Sequence, residues 1–123
     1  MISLPQLLMI GLGGAGGSML RALVGEWVPA GRLPWGTMTA NVVGSLIIGL
    51  VLGRMGEAVG EQPHWYGFMA IGFCGGFTTV ASFSWQTFEQ FRNGQWGAAL
   101  TYAVSSMLVC LVATWAGWRL GRL

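Results

Sequence analysis

The charged residues of this 123-residue chain are few and leave long stretches without any charge, which is the strongest constraint on its fold. Only 8% of the residues are charged, as six Arg and four Glu, with no Lys or Asp. Each charge-free stretch is long enough to cross the hydrocarbon core of a bilayer, which takes about 20 helical residues. The sequence therefore predicts four transmembrane helices. The four stretches are residues 1–20, 33–53, 62–88 and 93–118.

The composition excludes several classes of protein. About a quarter of the residues in an ordinary soluble domain are charged, so a chain with 54% hydrophobic residues cannot cover a soluble surface with its few charges. This excludes disordered chains and soluble enzymes. A net charge of +2 from scattered arginines also lacks the basic patch that is typical of a nucleic-acid-binding protein. Cys74 and Cys110 have neither metal-ligand spacing nor a disulfide framework, and we interpret them as small apolar helix residues.

Prolines and aromatic residues indicate where the spans end. Pro29 and Pro34 bracket the first connection, and Pro63 opens the third span. Trp and Tyr residues gather near the proposed ends as an interfacial belt, and the first stretch lacks the basic start of a signal peptide. We therefore predict one all-α transmembrane domain, residues 1–123. Its spans are expected at about 4–25, 33–53, 64–90 and 95–119.

The arginines give no preferred orientation in the membrane. Orientation normally follows an excess of Arg and Lys on the cytoplasmic side. We predict insertion in both orientations and an antiparallel homodimer with its two-fold axis in the membrane plane, since a symmetric dimer is the commonest oligomer. The arginines divide three against three, with Arg54, Arg119 and Arg122 on one side and Arg21, Arg32 and Arg92 on the other.

Glycines predict how the helices pack. Small residues spaced four apart let membrane helices approach closely. Residues 11–16 also read G-x-G-x-x-G, but a dinucleotide site needs a βαβ unit and an acidic residue about 20 positions on. Residues 30–40 contain no acid, so we reject a dinucleotide site. The packing pairs are Gly13 and Gly17, Gly49 and Gly53, and Gly72 and Gly76.

The third span contains Gly75-Gly76 followed by Thr78-Thr79 near its middle, which is a poor sequence for a continuous helix. We predict a break at Gly75–Thr78, within residues 75–79. Unwound backbone at membrane depth is tolerated only where protein, water or an ion satisfies its polar groups, and such breaks mark ion sites in transporters. A kink packed by neighbouring helices is the alternative.

The second and fourth spans carry polar side chains. Asn41, the strongest polar residue of the second span, either bonds a neighbouring helix or faces water. In the fourth span a row of polar side chains recurs every four residues on one face, and this row either lines a pore or holds helices together. Its members are Tyr102, Ser106, Cys110 and Thr114.

The middle of every span lacks Asp, Glu and Lys. Proton-coupled transporters need an ionisable residue there, and enzymes need a nucleophile with a base. The polar groups that remain are hydroxyls, one amide and aromatic rings, with arginines such as Arg21 near the span ends. These groups donate hydrogen bonds, and phenylalanine adds an electropositive ring edge. This combination favours passive conduction of a small anion.

These motifs resemble the Fluc (CrcB) fluoride channels over nearly the whole chain. The resemblance implies a passive channel of the inner membrane that exports fluoride from the cytoplasm and relieves its toxicity. It also implies an antiparallel dual-topology homodimer with two pores. The matching residues are Gly36-Thr37 with Asn41 and Gly44, then Gly72-Phe73-Cys74-Gly75-Gly76-Phe77-Thr78-Thr79 followed by Phe83-Ser84.

The resemblance further implies roles for single residues. A structural Na⁺ at the dimer centre is bound by the main-chain carbonyls of Gly75 and Thr78 of each subunit, and Arg21 lies in a vestibule. Phe83 matches the second phenylalanine of an aromatic box. The pore and fluoride-binding residues that are implied are Asn41, Val80, Ser82, Phe83, Tyr102, Ser106, Cys110 and Thr114.

Three residues depart from the family pattern: Val80 replaces the first box phenylalanine, Ala81 a serine and Gln86 a glutamate. The alternative function is that of a small multidrug-type proton-coupled exporter, which also has four short spans and dual topology. Such an exporter needs a carboxylate within the membrane, whereas all four glutamates lie at or near the proposed span ends.

Overall fold

The computed structural model describes residues 1–29, 31, 33–56 and 62–123, and this part of the chain is helical and contains no strand. Four segments are long and apolar enough to cross a membrane, as predicted: α1, α2, α3 together with α4, and α5. Arg32, Glu57 and Glu61, which mark span ends in the sequence, lie outside the described residues. Helix α1 is Leu4–Trp27, α2 is Trp35–Met55, α3 is residues 64–77, α4 is Val80–Arg92 and α5 is Trp96–Gly121.

The helix ends follow from local chemistry. The Ser3 side chain accepts a hydrogen bond from the Gln6 N–H at 3.4 Å and caps the start of α1. Helices α2 and α3 begin directly after Pro34 and Pro63, whose rings hold φ at −79° and −65°. Gly56 ends α2 with a φ of 62°, a conformation that strains residues with a Cβ atom.

The third span is interrupted within the predicted residues 75–79, at the two threonines and not at the two glycines. In α3, the α-helical turns His64–Tyr66 and Gly75–Phe77 flank a π-helical stretch at Gly67–Cys74. Gly75 has helical dihedral angles, φ −62° and ψ −37°, whereas residues 78–79 are extended, with ψ values of 156° and 113°. The break therefore lies within the predicted residues 75–79, but it is confined to Thr78–Thr79, and Gly75–Phe77 remain helical. Gly76 packs against α1, where an added Cβ atom would collide with the backbone of Gly14.

The first tight helix pair is formed by α1 and α3, which run parallel. The glycines of each helix pack against backbone carbonyl groups of the other helix. The two backbones are closer together than a Cβ atom at these positions would allow. This contact confirms two of the predicted packing pairs. Gly13 and Gly17 face the carbonyls of Phe68 and Phe73, and Gly72 and Gly76 face those of Ile10 and Gly14.

The second tight pair is formed by α2 and α5, which also run parallel. Gly49 and Gly53 of α2 meet the carbonyls of Thr114 and Trp118, which confirms the third predicted pair. Helix α5 contributes Gly117 and Gly121 to the same contact, and these two glycines, which have the same spacing, are not among the predicted pairs. Backbones that approach this closely gain van der Waals contact, the main source of helix association in lipid.

The outward surface of the described helices is apolar. Leu12 and Met19 of α1, and Met107 and Leu111 of α5, are each 62–68% exposed. In water this surface would drive aggregation, but lipid tails are as apolar as these side chains, so their exposure to hydrocarbon costs little. The exposed surface is thus the one that a membrane-spanning protein presents to lipid.

Candidate functional site

The Asn41 side chain on α2 bridges the break in the third span. Its Oδ1 accepts a hydrogen bond from the Thr79 N–H at 2.7 Å, and its Nδ2 donates to the Thr79 carbonyl at 3.2 Å. Thr79 is only 9% exposed, so an unpaired peptide group there would be costly. The backbone dictates the direction of both bonds, because the N–H needs an acceptor and the carbonyl a donor. Of the two alternatives for Asn41, a bond to a neighbouring segment is therefore present.

The two threonines of the break cap the helices on either side of it. Thr78 Oγ1 donates to the Cys74 carbonyl at 2.8 Å, one turn back in α3. Thr79 Oγ1 accepts from the Ser82 N–H at 3.1 Å and donates to Ser82 Oγ at 3.2 Å, which caps α4. Side chains of the chain itself thus replace much of the helical hydrogen bonding that the break removes.

A groove of about 550 Å³ runs beside the break, between α2, α3, α4 and α5. The groove is open to the outside of the single chain, since Val80 at its edge is 77% exposed. Ser106, which also lines the groove, is 3% exposed. The groove brings together seven of the residues singled out in the sequence: Asn41, Gly75, Thr78, Val80, Phe83, Ser106 and Cys110.

The Gly75 carbonyl lies at the end of α3 without its usual helical donor. A continuous helix would offer it the Thr79 N–H, which bonds Asn41 Oδ1 instead. Gly75 is exposed, and a Cβ atom added there would meet nothing within 4 Å. Gly75 and Thr78 both line the groove, so this surface offers peptide oxygens, the ligand type that hard cations prefer.

Tyr102 connects three helices through a partly buried chain of two hydrogen bonds. Its side chain is fully buried, and its ring packs on Phe83 with the centroids 5.2 Å apart and the planes at 42°. The Tyr102 hydroxyl donates to Gln86 Oε1 at 3.0 Å, and Gln86 Nε2 donates to Thr37 Oγ1 at 2.8 Å. This chain ties α5 to α4 and α4 to α2 next to the Asn41 contact.

The sequence patterns predict no site role for Thr37, Thr79 or Gln86. Gln86 stands out only as a departure from a family pattern, and the two threonines only as members of motifs. Their one signal is spacing: Gln86 follows Phe83 by three residues, and Thr37 precedes Asn41 by four, so each shares a helix face with a predicted site residue.

A second cavity, of about 310 Å³, adjoins the break from the α1 side. Arg21, Thr37 and Ser82 line it together with Thr79, and Glu26 brings one opposing charge. Thr79 lines this cavity, and Asn41 lines the groove. The two hydrogen bonds that join these residues therefore lie between the groove and the second cavity. Ser82, expected with the other pore residues, thus lies with Arg21 on the far side of the break.

Thr114 is the one predicted site residue that belongs neither to the groove nor to the second cavity nor to the Tyr102 hydrogen-bond chain. Its carbonyl packs against Gly49, and it lines neither the groove nor the second cavity. The reason lies in helix geometry. Four residues turn an α-helix by about 400°, so each step of the row rotates it by about 40°, and Thr114 has moved roughly 120° around α5 from Tyr102.

Comparison with known proteins gives a consistent result over nearly the full chain. A family profile described as "CrcB-like protein, Camphor Resistance (CrcB)" matches residues 8–118. A protein of Thermus thermophilus named "Fluoride-specific ion channel FluC" is 38% identical over 125 residues, covering 98% of this chain and 96% of its own. Proteins of the same name from Leptospira interrogans and Geobacter sulfurreducens are 40% and 39% identical, covering 91% of both chains in the first case and 97% and 98% in the second.

Proposed function

Since the chain belongs to the CrcB-like protein family, we propose that it is a fluoride-specific ion channel that exports fluoride passively from the cytoplasm. It is a multi-pass protein of the inner membrane and not an enzyme. The observation that carries the proposal is the break at Thr78–Thr79, which Asn41 bridges between two cavities. Polar groups at this depth of an apolar bundle are costly, and they commonly mark the pathway of a substrate or an ion.

The lining of the route suits a dehydrated anion. Fluoride is small and strongly hydrated, so a pore must replace its water shell with donors at close range. Thr79 uses one N–H of the Asn41 amide, and the second is left to donate to fluoride in the groove. Ser106 offers a hydroxyl and Phe83 an electropositive ring edge in the same groove. Arg21 in the second cavity raises the local anion concentration at the entrance.

A second copy of the chain completes the groove in this proposal. Val80 and Gly75 are exposed in the single subunit, although both line the space through which fluoride passes. An open groove at membrane depth would admit lipid tails, and a hydrocarbon wall offers an anion no donors. An antiparallel homodimer covers two such grooves and so has two pores. Thr114 is proposed to act farther along α5, outside the groove of its own subunit.

A structural Na⁺ fits the peptide oxygens of Gly75 and Thr78. The Gly75 carbonyl lacks its helical donor, and a two-fold axis beside it would bring the same oxygens from both subunits together. Bound there, the cation supplies positive charge that holds the two breaks together. The ligands proposed are carbonyls alone, because no group of three His, Cys, Asp or Glu side chains occurs in the part of the chain that the structure describes.

The multidrug-type exporter is not favoured. Proton coupling needs a carboxylate within the membrane, whereas the glutamates of the chain are at positions 26, 57, 61 and 89. Glu26 and Glu89 lie in the last turns of α1 and α4, and Glu89 pairs with Arg92 at 3.7 Å.

Fluoride efflux from liposomes that contain the purified protein tests the proposed function. We expect fluoride to leave when a potassium ionophore dissipates the charge, and chloride to be retained. An interior-negative potential then drives export in the cell at about 2.3 kcal/mol per 100 mV. Equal fluoride and chloride efflux, or an efflux that requires a pH gradient, would contradict the proposal.

Restoring a phenylalanine in Val80→Phe should leave the fluoride flux at least as high as in the native chain. Val80 is 77% exposed at the groove edge, so the larger ring fits without a clash within the subunit. The native valine leaves room for water that solvates the ion, while the new ring edge contributes about a kcal/mol of its own. Val112→Phe on the lipid side of α5 is the control, since Val112 is 62% exposed and lines neither cavity. An inert native chain beside a conducting Val80→Phe would mean that the ring edge is required.

Dual topology predicts that the C-terminus lies on both sides of the membrane. A C-terminal tag should be accessible to a membrane-impermeant reagent from either face, because the arginines divide evenly. Adding two or three lysines after Leu123 should bias insertion and lower the flux, since each antiparallel dimer needs both orientations. A single orientation in the unmodified protein would refute this topology.

A further inference from the structure

Gly44 of α2 packs against the side chain of Thr78, at the point where α3 ends. A Cβ atom added to Gly44 would collide with the Thr78 methyl group, Cγ2. The next nearest atoms are Phe77 Cδ1 at 3.4 Å and Thr78 Cβ at 3.7 Å, which are ordinary van der Waals distances. Gly44 is buried, and it lines the groove together with Thr78. The glycine therefore provides the space that a single methyl group occupies.

The Thr78 side chain cannot turn away from this contact without losing a hydrogen bond. Thr78 Oγ1 donates to the Cys74 carbonyl at 2.8 Å, and the same carbonyl accepts the Thr78 N–H at 3.0 Å. Both other staggered rotamers would carry Oγ1 away from Cys74, because Oγ1 and Cγ2 are attached to the same carbon and rotate together. Gly44 thus admits the rotamer in which the Thr78 hydroxyl caps the end of α3.

This contact lies next to the Asn41 bridge. Gly44 follows Asn41 by three residues, so the two share a face of α2, and Thr78 directly precedes Thr79. The two hydrogen bonds between Asn41 and the Thr79 peptide measure 2.7 and 3.2 Å. A shift of about 1 Å at Thr78 is enough to lengthen such bonds beyond hydrogen-bonding distance. The spacing between Gly44 and Thr78 therefore decides whether the bridge forms.

We propose that Gly44 is a positioning residue of the pore. Its bare Cα atom sets the distance between α2 and the break, and so holds the Thr79 peptide within reach of Asn41. This inference rests on the proposed function, in which the Asn41 amide also donates to fluoride. Gly44 needs no contact with the ion for this role, since a larger residue would act by displacing Thr78 and, through it, the peptide that orients Asn41.

Three variants test this role: Gly44→Ala, Thr78→Ser, and the double variant Gly44→Ala/Thr78→Ser. Thr78→Ser removes Cγ2 and keeps the hydroxyl that bonds Cys74. We expect the fluoride flux of folded Gly44→Ala to fall by about tenfold, the effect of losing one hydrogen bond along the route. Amide hydrogen exchange in a peptide that contains Thr79 should become faster by about the same factor. In the double variant both values should return to those of Thr78→Ser.

Gly49→Ala is the matched control in the same helix. A Cβ atom there would collide with the Thr114 carbonyl and lie 3.0 Å from the Trp118 nitrogen, so the change strains the contact between α2 and α5 and not the break. It should lower the temperature of thermal unfolding. Well below that temperature, hydrogen exchange at Thr79 should be unchanged, and adding Thr78→Ser should restore nothing.

Native hydrogen exchange at Thr79 in Gly44→Ala would overturn the proposal, and so would a double variant as impaired as Gly44→Ala. Equal recovery of Gly49→Ala by Thr78→Ser would also overturn it, because removal of the methyl group would then act generally. If Gly44→Ala does not assemble, the double variant must still assemble and protect the Thr79 amide. A native chain that carries no fluoride would contradict the proposed function, whereas hydrogen exchange would still decide whether Gly44 holds Thr79 at Asn41.

Discussion

Fluoride flux is expected to fall at least ten- to hundred-fold in Asn41→Asp, while the protein still folds. The carboxylate can accept the Thr79 N–H, as Asn41 Oδ1 does now, but it cannot donate to the Thr79 carbonyl or to fluoride. A hydrogen bond to a charged group contributes about 1.5–3 kcal/mol, which corresponds to a rate factor of about ten to a hundred. Repulsion between the carboxylate and the anion adds to this loss.

The measurement is fluoride efflux from liposomes, with size-exclusion chromatography to establish that the variant assembles like the native chain. Asn93→Asp makes the same chemical change in the exposed connection between α4 and α5 and should conduct normally. At acidic pH the carboxyl group that Asn41→Asp introduces becomes neutral and regains a donor, so the flux of this variant should partly recover. Native flux in Asn41→Asp at neutral pH would remove this side chain from the pore.

Gly17→Ala is expected to destabilise the protein by roughly 1–3 kcal/mol or more, as overpacking in a tight core does. The added Cβ atom would collide with the Phe73 carbonyl and lie 2.9 Å from the Phe77 nitrogen. Both obstacles are backbone atoms of α3, so no side chain can move aside to relieve the contact. Phe77 is the last helical residue before the break, so a shift there also disturbs the residues that Asn41 holds.

The neighbouring glycine provides a control in the same helix. A Cβ atom on Gly16 would meet nothing within 4 Å, so Gly16→Ala should be neutral, or stabilising by about 0.5–1 kcal/mol from helix propensity. Thermal unfolding in detergent, followed by light scattering or circular dichroism, measures both variants. If Gly17→Ala unfolds at the temperature of the native chain, the α1–α3 contact is looser than these distances require.

The break combines two requirements that normally conflict. Peptide groups at membrane depth must be satisfied, but a conducting route needs donors that are still available. In the proposed channel Asn41 meets both requirements, because its carbonyl oxygen and one N–H bond Thr79 while its second N–H is left for the ion. The chain through Gln86 fixes Thr37 and Tyr102 in the same way, without a charge. This explains physically why polar groups and no carboxylates occupy the middle of the spans.

The sequence by itself determined the four spans, because charges and hydrocarbon exclude each other and a helix of about 20 residues is the shortest crossing. It also determined the tight packing at Gly13, Gly17 and their counterparts, since small residues at this spacing act through local backbone geometry. The family motif was likewise readable from the residues alone.

The tertiary structure decided what depends on contacts between distant residues. Asn41 and Thr79 are 38 positions apart, and only the tertiary structure shows that they bond to each other and that the break spares the glycine pair. Thr37 and Gln86, 49 positions apart, became site residues through a hydrogen bond that no local pattern encodes. Thr114 does not share a face of α5 with Tyr102, because four residues exceed one helical turn. This rotation can be seen only when a neighbouring helix shows which face of α5 is covered.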